Sequence, residues 1–315
     1  MSSQNFIKKI SLYKDMYTDR FVQFFDQKAN DLIRNSISEA KGGLLLSKFG
    51  TIELIFLSLY CPPKSSFQSK LKELNSGTLS VASYFYPKPL LNNAGVFPLK
   101  KDIIKRFCNL VYSDCQQIDI LGSYREDESN FSTELSRTKK VNLDGFLCPY
   151  LWENPWSSAL RNKKVLVISP FSDSIQHQYR EKRTLLFKDS SVLPEFKNLI
   201  TLDAIQSNGS NASRCGFRDW FEALDFMEKE ISQIDYDVAL VGAGAYGMDL
   251  AAFIKRQGKI AIHLAGWTQF LFGVYGERWL RGQPKYSAFI NDNWVRPSAN
   301  ETPLGVDKIE NKAYW

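Results

Sequence analysis

The chain has 315 residues and carries 40 Lys and Arg against 34 Asp and Glu, a net charge of +6. A hydrophobic share of 44% and a charged share of 23% exclude wholesale disorder, and the length allows one large domain or two small ones with a substantial core. The two histidines, His177 and His263, argue against a multi-histidine zinc centre and leave little room for a Ser-His-Asp triad, so any metal should be a hard ion on carboxylates.

Cys61, Cys108, Cys115, Cys148 and Cys215 are scattered and odd in number, with no C-x-x-C, and read as reduced packing thiols in a cytoplasmic setting. The first twenty residues mix charged and apolar side chains and lack a secretory h-region. No run approaches the ~18 apolar residues of a membrane span. The sequons at Asn130, Asn208, Asn211 and Asn300 then read as coincidence. Lys and Arg form no block, and no helix-turn-helix, finger or aromatic RNA-binding pattern occurs, so nucleic acid is not the expected partner. The mild positive excess suits an anionic small ligand or an anionic membrane surface, and equally a solvated surface with a chance excess.

In chain order, Phe21, Phe24, Phe25, Leu32, Ile33 and Ile37 recur at helical spacing and predict an N-terminal helical segment within residues 1–40, closed by Gly42 and Gly43. Residues 44–49 (LLLSKF) read as a buried strand. Gly50 breaks it, and Thr51 can cap a helix through Glu53, Leu54 and Ile55 to Tyr60, stopped by Cys61, Pro62 and Pro63. Pro87, Pro89, Pro98, Pro149 and Pro155 punctuate the next hundred residues, where a helix near 101–113 and a strand near 119–122 are expected. The charged stretch 125–140 reads as a loop-helix excursion. From residue 163 the pattern sharpens: strands at 164–168, 199–202, 237–241 and 259–264 alternate with helices at 174–187, 217–234 and 247–256 and a short one from Thr268. This alternation predicts a single α/β domain over residues 1–315, a parallel sheet with helices on both faces whose clearest βα repeats span 163–280.

Ligands bind beyond the carboxyl ends of such strands, which selects the loops 48–53, 169–174, 242–247 and 265–269. Residues 242–247 (GAGAYG) are a literal G-x-G-x-x-G between strand and helix. Such glycines let the backbone approach a phosphate, and free N–H groups with the helix dipole attract anions. A dinucleotide site also expects an acid about twenty residues on, where residues 261–265 (AIHLA) hold none. An NAD-dependent oxidoreductase and a tight turn without ligand both stay open. Glu53 falls in the first turn of its helix. There it is either a dipole-stabilised capping residue or a carboxylate facing a diphosphate, as base or through a bridging metal, with Lys48 pairing the phosphate. The polar loop 207–213 reads as a plain surface loop or as a lid that brings Arg214 to a phosphate. His263, in an apolar strand, reads as a core histidine. Trp267, Trp279, Trp294 and Trp315 concentrate in the C-terminal fifth and read mostly as core, with one or two able to stack on a sugar or base. Trp294 with Arg296 reads equally as core or as the rim of a polar-ligand site.

The runs 237–247 (DVALVGAGAYG), 250–259 (LAAFIKRQGK) and 263–273 (HLAGWTQFLFG) resemble proteins of bacterial polysaccharide loci. So do 294–298 (WVRPS), 301–303 (ETP), the pair Tyr314 and Trp315, and upstream 48–53 (KFGTIE), 93–98 (NAGVFP), 168–171 (ISPF) and 174–176 (SIQ). Together these cover roughly residues 40–315, and the group is similar to glycosyltransferases of the GT-D type. The resemblance implies a Rossmann-like sheet and transfer of a sugar from a nucleotide-sugar donor, UDP favoured, to a lipid-linked or oligosaccharide acceptor. The product would be a capsule or lipopolysaccharide type of glycan, made at the inner face of the plasma membrane, with a homo-oligomer left open. The implied nucleotide-binding residues are Gly50, Pro170, Phe171, Gly242, Gly244, Tyr246 and Gly247. Asn93, Arg214, Thr268, Gln269, Trp294 and Arg296 would bind substrate, and Glu53 and Lys48 would be catalytic. The group's metal motif, Asp-x-Glu after Arg-Phe-Gly, stands here as Thr51, Ile52 and Glu53 after Lys48, Phe49 and Gly50, so Mn²⁺ or Mg²⁺ would rest on Glu53 alone. A non-catalytic scaffold of a polysaccharide assembly complex is the remaining alternative.

Overall fold

The computed structural model describes residues 17–61, 87–281, 284–303, 305, 306, 309 and 312–315. The start of the expected N-terminal segment (1–16) and the expected stop at Pro62 and Pro63 lie outside them. Helix α1, Asp26–Glu39, buries Ala29, Ile33 and Ile37 on one stripe. It begins later than the periodicity predicts, because residues 23–24 are extended against the sheet edge. Gln23 N and Phe24 N both donate to Lys140 O, at 2.9 and 3.1 Å. Asp26 N then donates to Asn142 Oδ1 at 2.8 Å, and Asn142 Nδ2 donates back to Asp26 Oδ1 at 2.7 Å, so a reciprocal side-chain pair sets the helix start.

Strand β1, Leu44–Ser47, turns at Gly50 into helix α2, Thr51–Tyr60. Helix α3, Lys101–Cys115, precedes strand β2, Ile120–Gly122. The charged stretch that follows is the expected loop-helix excursion, tied down by buried charges. Arg125 is fully buried against Asp127, and Glu128 accepts from Tyr124 N at 3.0 Å and Arg125 N at 3.2 Å, which ties a helical turn at Glu126–Phe131. The stretch ends in an unexpected strand, β3, Lys139–Val141. Helix α4, Leu143–Leu147, is capped by Asn142, whose Oδ1 accepts from Gly145 N at 3.3 Å.

The expected repeats follow: strand β4, Lys164–Ser169, helix α5, Ser172–Leu186, strand β5, Asn198–Asp203, helix α6, Trp220–Ser232. Strand β6, Val238–Val241, helix α7, Gly247–Arg256, strand β7, Ile260–His263, and helix α8, Trp267–Leu271, complete them. All seven strands form one parallel, Rossmann-like sheet in the order β3-β2-β1-β7-β6-β4-β5.

Neighbouring residues of each central strand face opposite ways, as the pleat requires. Leu45, Leu166, Ile168, Ala239 and Val241 pack under α2, α3, α6 and α7 with Phe56, Phe107, Trp220 and Leu250. Leu46, Val165, Val167 and Leu240 pack on the other face, with α1, α5, α8 and the C-terminal rings of Trp279 and Trp294. Burial on both faces explains why β4 and β6 read as unbroken apolar runs. None of the five cysteines is in a disulfide, and burial pushes the thiols of Cys108, Cys115 and Cys148 up, which keeps them protonated and inert. Among the described residues no helix is long and apolar enough to cross a membrane.

The topology opens a crevice. After β4 the chain moves outward to β5, whereas after β6 it moves the other way to β7. The loops above β4 and β6 therefore part, and the carboxyl ends of the strands beneath face an open space.

Candidate functional site

A cavity of about 700 Å³ fills that space, and the segment after every strand contributes to its wall. Lys48, Gly50, Thr51 and Glu53 come from the β1 end, Tyr124 from β2, and Asp144 from β3. Pro170 and Phe171 follow β4, Gln206 follows β5, Gly242 to Gly244 follow β6, and Ala265 to Trp267 follow β7.

The β1 corner is a knot around one carbonyl. Lys48 Nζ and Tyr124 OH both donate to Phe49 O at 2.9 Å, and the Lys48 ammonium sits 5.3 Å from the Tyr124 ring centroid. Thr51 Oγ1 lies 3.1 Å from the same phenol oxygen. Glu53 is the third residue of α2, and its carboxylate folds back over Gly50: a Cβ there would lie 2.0 Å from Oε2. A side chain at position 50 would push this carboxylate aside. A carboxylate in this first turn complements the helix dipole, and Glu53 also lines the cavity.

The glycine turn after β6 has three different physical reasons for its three glycines. A Cβ on Gly242 would meet Ala265 O at 2.7 Å and Thr268 Oγ1 at 2.8 Å, so the β6 and β7 loops touch through it. Gly244 has φ +53, a left-handed conformation that glycine adopts without strain, and little but open cavity surrounds it. A Cβ on Gly247 would lie 2.3 Å from His263 Nε2, so this glycine makes room for the imidazole. Ala243 and Gly244 line the cavity at the start of the 3-10 turn that runs into α7, in which Tyr246 N donates to Ala243 O at 3.1 Å, while Gly242 N donates to Ile168 O at 2.8 Å. Tyr246 stacks on Trp220 at 4.8 Å with planes 2° apart. Ser207 Oγ donates to Gly95 O at 2.7 Å, so Tyr246 OH is left to donate to Ser207 Oγ at 2.8 Å. Burial lifts the Tyr246 phenol well above its ordinary pKa, and it stays protonated.

His263 ends β7 at the cavity floor. Its Nδ1 lies 3.0 Å from Ser47 Oγ across the β1–β7 pair, and its buried Nε2 has no hydrogen-bond partner among the described residues. Burial, and then the nearby Lys48 charge, pull its pKa down to about 3, so the imidazole is neutral. On the β3 side Asp144 accepts from Tyr286 OH at 2.5 Å and from Lys285 Nζ.

Of the residues expected at a site, Lys48, Gly50, Glu53, Asn93, Pro170, Phe171, Gly242, Gly244 and Tyr246 share this cavity. Gly247, Arg214, Thr268, Gln269, Trp294 and Arg296 are not among its lining residues. Gly247 packs under His263 instead. Arg214 is exposed on its loop. Thr268 and Gln269 are buried in α8, and Gln269 Nε2 donates to Tyr314 O at 2.9 Å. Trp294 packs edge-to-face on Phe270 at 4.5 Å and donates to Leu186 O at 3.1 Å. Arg296 pairs with Glu277 at 2.7 Å and donates to Trp315 O at 2.7 Å, so its charge ties the C-terminal segment. Lining residues that the sequence reading assigned to no site include Tyr124, Asp144, Arg278 and Tyr286. Trp267, Trp279 and Trp315 belong to the C-terminal aromatic group of which one or two were expected to stack on a sugar or base, and His263, read as a core histidine, also lines the cavity. No protein-family model, curated protein or solved structure matches this chain.

Proposed function

We propose that the cavity is the site of a glycosyltransferase, which moves a sugar from a nucleotide-sugar, UDP-linked as the favoured carrier, to a hydroxyl of a surface-polysaccharide acceptor. The observation that carries this reading is the pairing, across one cavity, of the glycine turn Gly242 to Gly244 with the charged β1 corner of Lys48 and Glu53. Transfer needs both. The diphosphate rests on backbone N–H groups at the turn, which cost no desolvation of a second charge. Lys48 offsets the negative charge that grows on the leaving diphosphate as the glycosidic bond breaks. Glu53 takes the proton of the attacking hydroxyl. Acceptor recognition in this reading brings the chain to a lipid-linked glycan at a membrane face.

The described residues do not fit a protein-held Mn²⁺ or Mg²⁺. No group of three or more His, Cys, Asp or Glu side chains that could hold a metal ion occurs among them, and the Glu53 carboxylate is folded over Gly50. The proposed transfer therefore runs on Lys48 and the backbone turn, and activity should survive EDTA.

A thermal-shift panel of UDP-, GDP-, CMP- and dTDP-sugars, with NAD⁺ alongside and with or without Mn²⁺, tests the reading. A bound ligand at a hundred times its Kd adds about 2.7 kcal/mol to stability. Stabilisation by one nucleotide-sugar supports the transferase. Stabilisation by NAD⁺ alone, or by nothing in the panel, overturns it in favour of an oxidoreductase or a scaffold.

A further inference from the structure

The cavity has two unlike halves. On the β4, β5 and β6 side its wall is mostly backbone and small groups, with Pro170, Gln206, Asn208, Ala243 and Gly244, interrupted by the rings of Phe171 and Tyr246. On the β3 and β7 side it is aromatic, with Trp267, Trp279, Tyr286 and Tyr314 around Asp144. We infer that this aromatic side is a saccharide-binding wall, which seats an uncharged pyranose ring with Trp267 as its platform and Asp144 as the acceptor of its hydroxyl hydrogens. Naming that sugar the acceptor of the transfer rests on the transferase reading; the wall itself does not.

The rings are held rather than loose. Trp267 meets Trp279 at 5.8 Å with planes 87° apart and Tyr286 at 4.7 Å with planes 77° apart, so edge-to-face contacts lock it while it stays partly exposed to the cavity. A fixed ring loses little entropy when a ligand lands on it. A pyranose offers the matching surface: its C–H face carries partial positive charge that meets the negative π-face, and its rim carries hydroxyls that both donate and accept.

The polar groups on the wall fit that rim. The Asp144 carboxylate has about four acceptor positions, of which Tyr286 OH takes one on Oδ1 and Lys285 one on Oδ2. Room remains for ligand hydroxyls, and the two existing donors fix the carboxylate in place. Trp279 lines the cavity, and its indole N–H is buried with no acceptor among the described residues.

A nucleobase is the poorer occupant. A planar base gains most between parallel faces, and the two contacts of Trp267 to its wall partners are close to perpendicular. Asp144 disfavours a phosphate at its own edge, while Arg278, which also lines the cavity 4.6 Å from the Tyr314 ring centroid, is the cation on this side.

Saturation-transfer NMR of the full chain tests this, with methyl glycosides of glucose, galactose, N-acetylglucosamine and rhamnose as probes, each with and without UDP. At least one glycoside should saturate through its ring C–H protons. Trp267→Ala should weaken it about tenfold or more, equivalent to about 1.4 kcal/mol, and Asp144→Asn, which keeps the shape, should weaken it about threefold. A near- and far-UV circular-dichroism spectrum equal to that of the unmodified chain shows that each variant is folded. Saturation unchanged in both variants, or no glycoside saturated in the unmodified chain, overturns the wall. So does loss of UDP binding in a folded Trp267→Ala variant, which would make the wall a base site. If UDP never binds while glycoside binding is lost in Trp267→Ala, the transferase reading falls and the saccharide wall stands.

Discussion

Glu53 and His263 carry the sharpest demands on single residues. Glu53→Gln keeps a planar group over Gly50 but removes the charge and the basicity. In the proposed transfer it should lower sugar-transfer rate by about 10²–10⁴, with nucleotide binding retained. Loss of a carboxylate from the first turn should cost only about 0.3–1 kcal/mol of stability. Normal transfer by a folded Glu53→Gln variant would leave the residue as a helix cap and nothing more. His263 makes a claim about pH. Above pH 6.5 it is neutral whether the chain is folded or unfolded. As pH falls from there toward 3 the unfolded chain binds a proton that the buried imidazole refuses, so folding stability is lost, by up to about 1.4 kcal/mol per pH unit. Denaturant unfolding of His263→Gln should show a shallower decline between pH 6.5 and 4 than the unmodified chain; parallel declines would mean the imidazole is not held neutral.

At the scale of elements, the turn between β6 and α7 separates two kinds of glycine. Gly247→Ala drives a methyl into the imidazole, and overpacking of this kind costs about 1–3 kcal/mol. His263→Ala in the same chain should recover most of that loss, since the two changes share one contact. Gly244→Ala meets no neighbour closer than Ala94 O at 3.6 Å, so its cost is the left-handed backbone, about 1–2 kcal/mol, with a methyl added at the cavity wall. It should therefore weaken nucleotide binding in a way that His263→Ala does not repair. Equal rescue of both variants in urea melts would show that the two glycines do the same job. The local motif marked this turn in the sequence, because glycine spacing between a strand and a helix is a short-range pattern. It did not say which glycines face a ligand, since the neighbours that decide it, Thr268, Ala265 and His263, belong to the next loop and strand.

Across the whole molecule, what could be read in advance follows how local its cause is. β4 and β6 advertise themselves because burial on both faces makes Val165 to Ile168 and all of β6 apolar. β3 does not, since it is an edge strand of three residues with Lys139 exposed and only Val141 fully buried. The strand order was equally hidden, as periodicity reports which face is covered and not which neighbour is paired. The aromatic half of the cavity exists only because the fold brings Tyr286 to Asp144, 142 positions away, so the rings read as ordinary core. The pairing of β1 has a further consequence, in the time order of synthesis. Leu46 meets Ile120 on one side, but Leu44, Leu45 and Leu46 meet Ile260, Ala261 and Ile262 on the other. At about 5–20 residues per second, a ribosome needs roughly ten to forty seconds between making β1 and making the strand that closes it. For that interval the nascent chain holds an apolar strand with a bare edge, open to pairing with another copy. Contacts of such long sequence separation slow folding, and the position of β7 in the sheet makes the closing of β1 one of them.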